Sequence, residues 1–302
     1  MKKFSSRILG YLTFLFILGN LVAFILQFFL SQSFFYKQNF IVNYLPNGSN
    51  FNYIIAGSSR GLTTLNTVEI DKELDLNGFN ISLDDTGLPS QFVMIKHYFE
   101  SGNTADYCVL TLDLGHMEES AQKINDNDYR FVSYSNRDYV WEYFKKYETG
   151  IIKPLTLSKF FPVIAFSYYN IELLWPAVLS IFKPKYHYRF DLNGNYSYPD
   201  LELPEQDSNF KWESIDKKIK NPILKEIELY LKRNNSKLVI YIAPYYGTKI
   251  NIKNSEEFQV INHSASLPTS NYFFDYDHVN NAGKSKATEL FIKSFKDARL
   301  KN

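Results

Sequence analysis

Cysteine is nearly absent from this chain of 302 residues: Cys108 is the only one. That excludes an internal disulfide and a cysteine-based metal site. A charge excess is missing too, since 33 basic and 32 acidic residues leave a formal net charge of +1. Without a basic surplus, a nucleic-acid partner is not expected. Histidine is scarce, with five in all. No second histidine or acid cluster has the spacing of a metal site around any of them. No G-x-G-x-x-G follows the first apolar strand, so a dinucleotide-binding domain is a poor fit and no cofactor is expected. Acidic residues are missing altogether from the first 30 positions, where Lys2, Lys3 and Arg7 are the only charges.

Apolar residues are plentiful instead. They make up 45% of the chain, with 17% aromatic, enough for a large core in one large or two modest domains. The run ILGYLTFLFILGNLVAFILQFFL, residues 8–30, carries no charge. As a helix it would be roughly 34 Å long, sufficient for a bilayer core of about 30 Å. A signal peptide has a shorter apolar region and a small-x-small cleavage site, which LSQSFF does not supply. An uncleaved single-pass anchor is therefore expected, in a segment 1–34. Its cations precede the apolar run, which puts the N-terminus in the cytoplasm and residues 35–302 in the periplasm or at the cell exterior.

Beyond the anchor, strand and helix patterns alternate. NYIIAGSSR (52–60) reads as a strand running into a turn. NTVEIDKEL (66–74) reads as a helix with Asn66 and Glu69 at capping-box spacing. GFNISL (78–83) is a second strand, PSQFVMIKHYFESG (89–102) a helix, and DYCVLTLDLG (106–115) an apolar third strand. The pattern resumes with helix 221–235, strand 237–246, a short final strand and loop at 271–278, and a closing helix from 281. Such alternation predicts a three-layer α/β/α sandwich with a flavodoxin-like, mostly parallel sheet. Ligand sites in such sheets lie beyond the carboxyl ends of the strands. Ser58–Ser59, Asp113 and the Asp275–His278 loop all follow predicted strands.

Residues of about 116–220 interrupt the alternation as a largely helical, aromatic-rich insertion. Positions 129–198 hold 20 Phe, Tyr or Trp in 70 residues. FFPVIAFSYYNIELLWPAVLSIF (160–182) has a single charge, Glu172. Were it to cross the membrane, Ser59 and His278 would lie on opposite sides and the sheet could not close. Pro162 and Pro176 also interrupt it. It is read as buried or membrane-facing helices. YRFDLNGNYSYPD (188–200) has the look of a hairpin around Asn193-Gly194.

Gly57-Ser58-Ser59 after the first strand, and Asp275-x-x-His278 ahead of the last helix in FFDYDHVNNAGK, resemble the first and last signature blocks of the SGNH/GDSL hydrolase superfamily. The likeness is to its membrane-anchored bacterial branch, with DltD-like and alginate-acetylation-type proteins, and spans about 51–115 and 221–300. It implies a nucleophile at Ser59, a base at His278 and an orienting carboxylate at Asp275. A serine hydroxyl needs such a base to take its proton, and the third group holds the imidazole in the right tautomer. The backbone N–H of Ser59 and that of Gly87, near the family's second-block glycine, are the oxyanion candidates. Arg60, Asp113 and Asn280 are candidates for substrate contact or support. The family's third block has an asparagine after the third strand; here TLDLGH puts Asp113 near that place. A carboxylate there would repel an oxyanion, so Asp113 must turn away, be protonated or serve another role.

By this resemblance the expected activity is that of a serine esterase or O-acyltransferase on O-acyl groups, O-acetyl foremost, of a cell-envelope polysaccharide. The glycan is the implied acceptor or substrate, and a multi-span membrane protein the implied acyl-transfer partner. The alternative is a catalytically inactive envelope protein that binds a glycan or partner on the same fold. Two plainer readings of the motifs stand beside these. Ser58 and Ser59 could simply end a strand and cap a turn, and Asp277 could hold a metal with Asp275 and His278.

Overall fold

The computed structural model describes residues 2–46, 48–119, 123–203, 212–253 and 257–300. Among the described residues the strands run as β1 Asn50–Gly57, β2 Gly78–Asn80, β3 Thr104–Thr111, β4 Glu213–Lys218, β5 Lys237–Ile242, β6 Thr248–Lys253 and β7 Gln259–Asn262. The α-helices are α1 Lys2–Ser31, α2 Lys37–Tyr44, α3 Ser59–Thr64, α4 Thr67–Leu74, α5 Leu88–Glu100, α6 Asp138–Tyr147, α7 Pro154–Ser158, α8 Pro162–Tyr169, α9 Ile171–Phe182, α10 Pro222–Arg233 and α11 Asn281–Leu300. They form two compact units, Met1–Leu45 with Gln122–Tyr188, and Pro46–Ala121 with Arg189–Asn302.

The second unit is mixed α/β. Its main sheet has the order β2-β1-β3-β5-β7 with every pair parallel. The strands are nearly all apolar because both faces are covered. Tyr53, Ile55, Val109, Val239 and Tyr241 share a core with Ile70 of α4 and Phe291 and Phe295 of α11. The alternate positions Ile54, Cys108, Leu110 and Ile240 are fully buried as well, on the opposite face by the two-residue period. There α5 packs on β1, α10 packs on β5, and the two helices touch each other. Each such large side chain contributes about 1.5–3 kcal/mol by leaving water.

Local signals account for several boundaries. Asn66 caps α4, its Oδ1 accepting from Val68 N at 3.2 Å, while its amide donates to Glu69 at 2.8 Å. Asn221 caps α10 through Ile223 N, with Pro222 at the first helical position. Residues 271–278, expected as the final strand, are not one. The fifth strand is β7, and 270–272 form a 3-10 turn followed by a single antiparallel bridge between Phe273 and Val279. Four residues of QVIN are too few to reveal a strand by period. Part of the expected helical insertion is extended too, since β4 pairs with β6 in a separate two-stranded sheet. Asn193-Gly194 makes a turn without flanking strands, closed by Asp191 N on Asn195 O at 2.8 Å.

The first unit is helical. Helix α1 is the one described helix long and apolar enough to cross a membrane. Residues 3–18 are exposed throughout, whereas Asn20, Ala23 and Leu30 are buried. Both α8 and α9 pack against α1. They meet at a bend of 110°, where Asn170 takes φ 45°, a region few side chains tolerate.

Candidate active site

The site is built at the carboxyl edge of the main sheet. From β1 the chain moves outward to β2, then returns across β1 to β3, so the order reverses between β1 and β3. That is where parallel sheets open a crevice. Gly57, the last residue of β1, has φ +154°, and a Cβ on it would meet Thr111 Cβ at 2.9 Å and Thr111 O at 3.0 Å. Only glycine lets β1 end so close to β3. Ser58 then caps α3, accepting the Arg60 N–H at 3.3 Å. Ser59 follows as the first residue of α3 and is half-buried.

Ser59 Oγ lies 2.7 Å from His278 Nε2. The other ring nitrogen, Nδ1, is 2.9 Å from both Asp275 Oδ1 and Oδ2. Asp275 Oδ1 also accepts the backbone N–H groups of Asp277 and His278, each at 2.8 Å. The D-x-x-H turn is thus folded around its own carboxylate. Burial alone would raise the Asp275 carboxyl. Hydrogen bonds from the His278 ring and the Asp277 backbone, with the His278 charge, outweigh it and hold the group below the usual carboxylate range. When the ring is neutral, a charged acceptor at Nδ1 favours the proton there, and Nε2 is then the acceptor for the Ser59 hydroxyl. The His278 side chain is 18% exposed and that of Asp275 is 44%, so solvent reaches the pair.

Arg60 holds this arrangement from below. It is 4% exposed. Nη1 donates to Asp277 O at 3.0 Å, and Nη2 to Ala243 O at 2.8 Å and Pro244 O at 2.9 Å. Its guanidinium carbon lies 3.3 Å from the Tyr245 ring centroid, and Nε is 3.5 Å from Asp113 Oδ1. The residue after Ser59 therefore ties down both the loop after β5 and the loop carrying His278. Asp113, whose other oxygen is 3.6 Å from His116 Nδ1, is the counter-ion of Arg60. Of the three roles open to it, the structure favours this other one.

Gly87 stands at the start of α5, on the loop leaving β2, and its carbonyl accepts Gln91 N at 3.1 Å. Asn280 is buried and structural. Its amide donates to Asn271 O at 2.8 Å and Leu201 O at 3.2 Å, and its Oδ1 accepts Gly283 N at 3.0 Å. Gly283 is required because a Cβ there would collide with the Tyr272 carbonyl.

Tyr198 was not singled out by the sequence. Its ring lies 5.2 Å from that of His278 and is stacked on Phe274 at 4.4 Å. Burial, then the nearby Asp275 charge, push its phenol up. The segment carrying Tyr198 is pinned by Lys284, whose ammonium donates to Tyr196 O at 2.9 Å and Ser197 Oγ at 3.0 Å. Burial lowers Lys284 to about 8, against the pull of Asp191 and Glu69. The only sequence signal for Tyr198 was its place among the aromatics of NYSYPD, which were too many to rank. No protein-family model and no curated protein matches the chain.

Proposed function

We propose that the protein is an SGNH-like serine esterase or O-acyltransferase with a doubly wound three-layer α/β/α sandwich. Its membrane anchor is residues 8–30, its sheet unit is extracytoplasmic, and its substrate is an O-acylated cell-envelope polysaccharide. One observation carries this reading: Ser59 Oγ, the His278 ring and Asp275 form an unbroken hydrogen-bonded relay of 2.7 and 2.9 Å. The motif resemblance supports the substrate class, and the apolar length of α1 supports the anchor.

In the proposed reaction, Ser59 Oγ attacks the acyl carbon as its proton passes to His278 Nε2. Asp275 stabilises the resulting imidazolium and holds the ring in its orientation. The tetrahedral oxyanion is held by the N–H of Ser59, one of the orphan donors at the start of α3, and by the N–H of Gly87. The C–O bond to the leaving sugar hydroxyl then breaks, and that oxygen takes the proton from Nε2. An acyl ester remains on Ser59. A water molecule or a sugar hydroxyl gives its proton to His278 Nε2 as its oxygen attacks the ester carbon; the bond from that carbon to Ser59 Oγ then breaks, the acid or acyl sugar leaves, and Oγ takes the proton back from Nε2. Tyr198 and Phe274 line the approach and offer an apolar, stackable surface to a sugar ring.

Asp113 favours a second reading, a non-catalytic glycan- or partner-binding protein, because the third-block position donates nothing to an oxyanion. The loss of one such donor costs about 10²–10³ in rate, less than a whole enzymatic acceleration. A fluorophosphonate probe and p-nitrophenyl acetate decide between the readings. Wild type should label on Ser59 and hydrolyse the ester, and Ser59→Ala should lose labelling and at least about 10³-fold of the rate. Equal rates for the two proteins, with no labelling of wild type, would leave the binding reading in possession.

A further inference from the structure

The helical unit carries an apolar surface that the proposed chemistry does not use. Along α8 and α9 the side chains of Phe161, Tyr168, Ile171, Trp175 and Phe182 are exposed, at 42–76%. From 160 to 182 Glu172 is the only charge, while Lys159 precedes the stretch and Lys183 and Lys185 follow it. Soluble proteins rarely leave so continuous an apolar surface to water. The contacts with α1 say at what depth it lies. Gly19 and Asn20 fall at the middle of the uncharged run 8–30. A Cβ on Gly19 would already be 3.1 Å from Val163 Cγ2, so α8 approaches α1 closely there, as small residues allow between membrane helices. Asn20 Oδ1 is 3.5 Å from Val163 N, facing one of the unsatisfied N–H groups at the start of α8. The Phe16 and Phe161 rings lie 5.5 Å apart. At the other end, Tyr36 Oη donates to Glu172 O at 2.5 Å, and Phe34 N donates to Pro184 O at 2.7 Å. The ends of α9 are therefore level with residues 34–36, just past the end of α1.

We propose that the α8–α9 pair is a re-entrant membrane element. It dips into the outer half of the same bilayer that α1 spans, with Lys159 turned to its partner Asp138 at 3.5 Å and α9 at the interface, and it does not cross. The partner of this surface is lipid: acyl chains against Phe161, Trp175 and Phe182, and headgroups near Glu172, Lys183 and Lys185. A backbone that turns inside a bilayer needs its polar groups satisfied by protein, and Asn20, the most central polar side chain of the run, serves the start of α8 in this way. The proposal rests on the reading of α1 as an anchor, and the test separates the two.

Full-length protein is reconstituted in phosphatidylcholine vesicles with bromines at acyl carbons 6,7 or 11,12, and in unbrominated vesicles. All reporters are built on Trp141→Phe/Trp212→Phe, which leaves Trp175. Three variants are read: Trp175 itself, and Leu15→Trp and Phe161→Trp each with Trp175→Phe. Quenching to about half or less is expected for all three. Quenching of Leu15→Trp alone would overturn the re-entrant element and leave the anchor standing; no quenching of any would overturn both. Glu142→Cys and Lys185→Cys should react with an impermeant maleimide from the same side of whole cells, the native Cys108 being buried. Reaction from opposite sides would also overturn the proposal.

Discussion

The sheet unit and the outer face of the α8–α9 pair handle apolar side chains in opposite ways. In the sheet unit Tyr53, Tyr241, Phe291 and Phe295 are fully buried between strands and helices. The helical unit also buries Phe131, Phe144 and Phe166, but along 160–182 Phe160, Trp175, Ile181 and Phe182 face outward although the segment is just as apolar. A sheet covered by helices excludes water from both faces, so its side chains are stabilised within one chain. A helix pair laid along a long apolar helix has an outer face with nothing of its own to cover it. The contrast teaches that apolar content does not specify burial; the number of covered faces does. It also separates the candidate site from the long apolar helix, since Ser59, Asp275 and His278 all lie in the sheet unit and α1 in the helical one.

This comparison can be broken most severely at Arg60. Arg60→Ala removes three carbonyl contacts and leaves Asp113 without its cation, so a loss of about 3–5 kcal/mol is expected in urea unfolding of the sheet unit. Fluorophosphonate labelling should slow with it. Arg60→Lys should recover little, because one ammonium cannot reproduce the guanidinium fork. Next, Phe291→Ala opens a cavity in the sheet core and should cost about 3–5 kcal/mol by the same measurement. A milder probe is pH. Lys284 has a folded pKa of about 8 against 10.5, so the unfolded chain binds more protons between those values and stability should rise as pH climbs from about 8 to 10.5. That rise should be on the order of 2–3 kcal/mol and vanish in Lys284→Met, as read from denaturation midpoints across the range. The smallest effect belongs to the helical unit. Phe182→Ser in detergent should change stability by no more than about 0.5 kcal/mol, and a cost like that of Phe291→Ala would show the two regions to be packed alike.

Several parts of this were legible in the chain. The strand into Gly-Ser-Ser, the capped helix at Asn66 and the closing helix after Asn280 each announce themselves by period or by a residue with one physical use. The Ser59, Asp275 and His278 assignments came from motif resemblance, and the structure brings those three side chains together. What stayed hidden depends on partners distant in sequence. Strand β7 is too short to show a period. The pairing of Asp113 with Arg60 joins the ends of β3 and β1, and neither neighbourhood alone names the other. Tyr198 reaches His278 only because Lys284 and Asn280 fasten residues 196–201 beside the last loop.

The chain by itself determined where hydrogen-bond capping starts helices, which runs are apolar enough for a membrane, and that Asp275 and His278 share one short turn. These are properties of neighbours within a few positions, fixed by backbone geometry and side-chain reach. Only the folded sheet decided that a hydroxyl at 59 meets an imidazole at 278, and only the tertiary packing decided that α8 lies against α1. Both depend on closing long loops, whose outcome is settled by the sum of contacts across the whole core.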